Sequence, residues 1–78
     1  MENNELLKKH YKEVKQLVPQ LTYKKLADMC GINVQTLTRW MAGDRNPKDY
    51  VAKVVHDKLD EIVDRAKRSV LWNGLEDD

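Results

Sequence analysis

The chain has 78 residues, 41% hydrophobic and 35% charged, with a formal net charge of +1. That length supports one small core and leaves no room for a deep catalytic pocket joined to a separate substrate domain. No apolar run approaches the ~20 residues that span a bilayer, and the polar start, Met1 to Lys9, does not read as a signal peptide, so a cytoplasmic location is expected.

Cys30 stands alone, which excludes an internal disulfide and any multi-cysteine zinc site; it reads as a small buried hydrophobe. His10 and His56 read as surface or boundary histidines and supply no four-ligand set, so no metal or cofactor is expected. The carboxylates Asp57, Asp60, Glu61 and Asp64 fall on one helix with no cleft to raise a pKa, and no enzymatic activity is expected. The charge is uneven along the chain. Residues 1–48 carry nine Lys/Arg against five Asp/Glu, and residues 49–78 carry five against eight. A basic first half points to a surface that faces a polyanion.

Helical periodicity dominates. A first helix is expected from about Asn4 to Val18, with Leu7, Tyr11, Val14 and Val18 on one stripe, Asn3 or Asn4 as cap, and Pro19 forcing the end. A second runs from Tyr23 to Cys30, capped by Thr22, stapled by Leu21 and Leu26, and stopped by Gly31. A third repeats the design, with Asn33 as cap, Ile32 and Leu37 as staple, Leu37, Trp40 and Met41 facing inward, and Gly43 as stop. A fourth is expected from Pro47, capped by Asn46, to about Leu71.

The apolar face of that fourth helix comprises Val51, Val54, Val55, Leu59, Ile62, Val63, Ala66 and Val70. Ala52, Val55, Leu59, Ile62 and Ala66 within it alternate spacings of three and four, the pattern of a helix-packing seam. Glu61–Arg65 and Asp64–Arg68 are favourable pairs one turn apart. These elements predict an all-α domain over residues 1–71 followed by an acidic tail, 72–78, with Trp72 or Leu75 as a latch.

The informative stretch is Thr22 to Pro47. Two short helices meet across Gly31-Ile32-Asn33, with small Ala27 at the expected crossing, which is what a helix-turn-helix needs. Leu26-Ala27, Gly31-Ile32, Leu37-Thr38, Trp40, Gly43 and Pro47 fall in register with the Cro/lambda-repressor-type (XRE) helix-turn-helix family, and on these residues the segment resembles it. Tyr23 stands where that family usually has Gln, Lys25 and Met41 stand where it usually has Glu, and one long fourth helix replaces two shorter ones.

The resemblance implies a small lambda-repressor-like domain, motif 22–43, whose third helix, 34–41, enters the major groove of double-stranded DNA. Val34, Gln35, Thr38 and Arg39 are then the base readers: Gln35 for adenine, Arg39 for guanine, Val34 for a thymine methyl. Thr22, Tyr23, Asn33, Arg45, Asn46 and Lys48 are the expected phosphate contacts. A small transcriptional repressor of phage or mobile-element type follows, working as a homodimer through helix 47–71. The alternative is an antitoxin- or inhibitor-like module that uses the same scaffold and its acidic C-terminal helix to bind a protein partner.

Overall fold

The computed structural model describes the backbone of residues 2–76 and the side chains of residues 2–68. Among the described residues the chain forms four helices and no strand: α1 (Asn3–Leu17), α2 (Tyr23–Cys30), α3 (Val34–Ala42) and α4 (Asp49–Glu76). No helix of these residues is long and apolar enough to cross a membrane.

In α1 the residues Leu7, Tyr11 and Val14 are buried at spacings of four and three, while Leu6 and Leu17 beside them stay exposed. The helix stops at Leu17, since Val18 precedes Pro19 and leaves helical geometry. Its start differs from the expectation. Glu2 takes the N-cap position without a side-chain capping bond, and Asn3 and Asn4 turn instead toward the loop after α3.

The two short helices have the expected limits. Thr22 Oγ1 accepts the Lys25 N–H at 3.2 Å, and Asn33 Oδ1 accepts the Gln35 N–H at 2.7 Å. Gly31 (φ +72°) and Gly43 (φ +86°) end them. Beyond each glycine the chain turns back: Ile32 N–H donates to the Ala27 carbonyl and Asp44 N–H to the Arg39 carbonyl, both at 3.0 Å. An added Cβ would meet nothing within 4 Å at either glycine. The requirement is therefore the left-handed dihedral itself, which costs other L-residues roughly 1–2 kcal/mol.

α4 begins two residues later than the capping pattern predicts. The Lys48 carbonyl accepts the Ala52 N–H at 2.8 Å, so Lys48 opens the helix. Asn46 cannot cap it because its amide is used by α1, and Pro47 is buried with its carbonyl accepting Asn3 Nδ2 at 3.0 Å. At the other end the helix passes the Asn73-Gly74 pair and runs to Glu76. A lone glycine costs a helix about 1 kcal/mol, too little to stop one that is already propagating. The expected tail from residue 72 is thus helical as far as Glu76, while the side chains of Val70, Trp72 and Leu75 lie outside the described residues.

Each helix supplies the core. Leu7 and Val14 of α1, Leu26 of α2, Leu37 of α3, and Val55 and Leu59 of α4 are fully enclosed. Burying each contributes about 1.5–3 kcal/mol before entropy is counted. α1 packs most extensively on α4, and α3 rests on α1 and α2. The seam Ala52, Val55, Leu59, Ile62 faces the core as expected, whereas Val54 points to solvent. Both predicted turn-spaced ion pairs form, Arg65–Glu61 at 2.8 Å and Arg68–Asp64 at 3.0 Å. Cys30 is half-buried against the core, and burial pushes its thiol up while Lys58 opposes the shift, which keeps it a weak nucleophile.

Candidate nucleic-acid interface

α3 has two faces of opposite character. Leu37, Trp40 and Met41 are buried and pin it to the bundle. Val34, Gln35, Thr38 and Arg39 are exposed on the other side and together line one shallow open depression. A helix with its side chains is about 10–12 Å across, which matches the ~12 Å width of the B-DNA major groove. Arg39 forms no ion pair or hydrogen bond among the described residues, so its planar fork is available.

Thr38 is more constrained. Its Oγ1 donates to the Val34 carbonyl at 2.8 Å. The hydroxyl proton is thereby used within the helix, and the side chain presents only a methyl and acceptor lone pairs outward.

The flanking positions fall on either side of α3. Thr22 is the cap of α2, and the cap bond at Lys25 leaves the Tyr23 and Lys24 N–H groups of the first turn without an intrahelical partner. Such an end attracts anions. The Tyr23 ring packs against Tyr11 with centroids 4.8 Å apart. Burial raises the Tyr11 phenol above its ordinary pKa, with Tyr23 adding to the shift. Asn33 is exposed, with Oδ1 held by its own cap bond. Arg45 and Lys48 are exposed on the loop after α3. Asn46 is placed differently from its neighbours: Oδ1 accepts the Asn4 N–H at 3.0 Å and Nδ2 donates to the Glu2 carboxylate. Its amide is committed to α1, which gives it a positioning role in that loop.

Two sets of residues matter to this face and escaped the sequence reading. Asn3 and Asn4 clamp the loop: Asn3 Nδ2 donates to the Pro47 carbonyl and, at 2.7 Å, to Asp49 Oδ1, and Asn4 Nδ2 donates to the Arg45 carbonyl at 3.2 Å. Asn4 is 7% exposed, and its Oδ1 has no protein partner. At the other flank, Lys15 Nζ donates to the Leu21 carbonyl at 2.6 Å and Tyr11 Oη to the same carbonyl at 3.3 Å, strapping the approach to α2. The i, i+4 spacing of Tyr11 and Lys15 ahead of Pro19 was the available signal.

Asn4→Ala is expected to lower stability by about 1 kcal/mol, read as a shift of the urea midpoint. The lost bond leaves the Arg45 carbonyl without its donor, while removal of the unpartnered Oδ1 offsets part of the cost. An unchanged midpoint would show that the clamp contributes nothing.

Charge follows the same division. Among the described residues the ion pairs lie on α4 or join His10 to it. Lys24, Lys25, Arg39, Arg45 and Lys48 are exposed and none of them is paired. Cations left unneutralised around an exposed polar helix face, beside a capped helix N-terminus, form a surface suited to a phosphate backbone.

Two short helices joined by a tight glycine turn, the second pinned inward and polar outward, define a helix-turn-helix domain. A family model described as Helix-turn-helix matches residues 20–61, more than half of the chain. The chain belongs to that family, the Cro/C1-type (XRE) helix-turn-helix proteins, and is by that membership a DNA-binding regulator. Comparison with curated proteins and with solved structures gives no significant match.

Proposed function

We propose that the protein binds double-stranded DNA sequence-specifically, as a repressor of the phage or mobile-element type by likeness to its family. The observation that carries this reading is the outward face of α3. Val34, Gln35, Thr38 and Arg39 share one exposed depression on a helix whose opposite side is fixed in the core. Gln35 offers an amide for adenine, Arg39 a fork for guanine O6 and N7, and Val34 a methyl surface for thymine. Thr38, with its proton held by Val34, accepts from a base amino group or touches a methyl. Thr22, Tyr23, Asn33, Arg45 and Lys48 take phosphates, and Asn46 keeps Arg45 and Lys48 in place.

One short recognition helix binds weakly, so a homodimer on a two-fold operator is part of the proposal. Leu17, Val18, Met29, Ile62 and Ala66 line an open, largely apolar groove beside the C-terminal half of α4. A second copy is the occupant that also supplies a second α3. The domain unit is residues 1–71, with the dimer contact on helix 47–71.

Selection of bound duplexes from a random pool is the test. A palindromic consensus with half-sites about one helical turn apart, roughly 10 base pairs, is expected. A consensus without symmetry would remove the dimer. Absence of any shift with random duplex at low salt would remove DNA binding itself and favour a protein partner for this scaffold.

A further inference from the structure

His10 of α1 and His56 of α4 meet edge to edge in the most extensive helix pairing of the fold. Their rings are 20° from parallel with centroids 5.0 Å apart, and Nδ1 of one lies 2.7 Å from Nδ1 of the other. Each imidazole nitrogen is either a donor or an acceptor. A gap of that length therefore holds one hydrogen: none leaves two lone pairs opposed, and two leaves N–H against N–H.

The third member fixes the rest. His10 Nε2 is 3.1 Å from Asp60 Oδ1, and an ionised carboxylate only accepts, so His10 Nε2 bears a hydrogen. In the neutral pair His10 then offers its Nδ1 lone pair, and His56 must donate from Nδ1. A relay results, from His56 to His10 to Asp60. One added proton is accommodated, since a cationic His10 donates in both directions and still places one hydrogen in the gap. A second added proton is not. It would set two cationic rings together with facing N–H groups.

We propose that His10, His56 and Asp60 form a proton-sensitive joint between α1 and α4, closed with none or one added proton and driven open by the second. The other charged groups do not reverse this. Asp57 adjoins His56, Lys53 lies one turn before it on α4, and Glu13 lies one turn after His10 on α1. Burial lowers the His56 pKa below its ordinary value and His10 lowers it further, while Asp60 and Asp57 act the opposite way. The sign follows. A histidine whose folded pKa is depressed contributes stability that is present above its unfolded value and is lost as pH falls below it. The joint should loosen in mild acid, below about pH 6.5.

The joint can be examined without DNA, so its outcome is separate from that of the proposed function. Urea unfolding is measured at about pH 7.5 and at about pH 5, the interval in which histidine changes charge. The wild type is compared with His56→Gln, whose amide can still donate to His10 but does not titrate. Between the two pH values the folding equilibrium constant of the wild type should fall severalfold further than that of the variant, in the direction set by the depressed His56 pKa. Parallel pH profiles would overturn the proposal. Imidazole nitrogen NMR of the wild type gives an independent reading that needs no variant. At neutral pH it should show His10 protonated at Nε2 and His56 at Nδ1. Two fully cationic rings within a spectrum that remains native would likewise overturn it.

Discussion

Leu37→Ala is expected to remove much of the stability of the domain. Leu37 is 0% exposed, on the inner face of a nine-residue helix that rests on α1 and α2. Deleting three carbons from such a site costs about 2–5 kcal/mol, because the cavity adds to the lost transfer energy. A chain of 78 residues has roughly 4–12 kcal/mol in total. The melting temperature should drop by roughly 8–40 °C, given about 4–8 °C per kcal/mol at this size. Thr36→Ala, one residue earlier and exposed, serves as the control and should change stability by no more than about 0.5 kcal/mol. Similar melting for both variants would mean that α3 is not anchored through Leu37, and the presentation of its outer face would lose its physical basis.

The parts of the fold that were legible in the sequence are those set by local chemistry. Thr22 and Asn33 cap, Gly31 and Gly43 stop, and Leu26 and Leu37 face inward, because each rule acts over fewer than six residues. The same locality explains what was missed. Asn3, Asn4 and Asn46 all read as helix caps, since asparagine before an apolar run is the commonest such signal. Each found partners more than 40 positions away instead. Once Asn46 is engaged with α1, Pro47 and Lys48 follow as loop and cap, and the start of α4 shifts. The His10–His56 contact is invisible for a similar reason: 46 residues separate the two, and only the register of α1 on α4 brings them together. Val54 was assigned to the apolar face by type, yet the seam that alternates threes and fours through Ala52, Val55 and Leu59 leaves it outside. At the interface, residue type and helical phase were enough to group Val34, Gln35, Thr38 and Arg39. The fixed orientation of the Thr38 hydroxyl needed coordinates.

Arg39→Ala should erase sequence preference at one position of each operator half-site while leaving the fold intact. Arg39 is exposed and unpaired among the described residues, so its removal opens no cavity and strands no partner. The structural cost is confined to the favourable placement of a cation in the last turn of α3, about 0.3–1 kcal/mol. On DNA, a bidentate contact to guanine discriminates by about 1–3 kcal/mol per copy. In a homodimer the substitution acts twice, so specific affinity should fall by the square of the single-site factor. Arg39→Lys separates charge from geometry. It keeps the cation, and with it the salt dependence that phosphate contacts impose, but loses the planar fork. Lysine should therefore retain binding to random duplex near the wild-type level and lose most of the preference for the selected operator. Competition binding at two salt concentrations, with operator and scrambled duplexes, reads both quantities. If Arg39→Ala and Arg39→Lys both discriminate the operator as the wild type does, Arg39 is not a base reader, and the specificity of α3 must rest on Val34, Gln35 and Thr38.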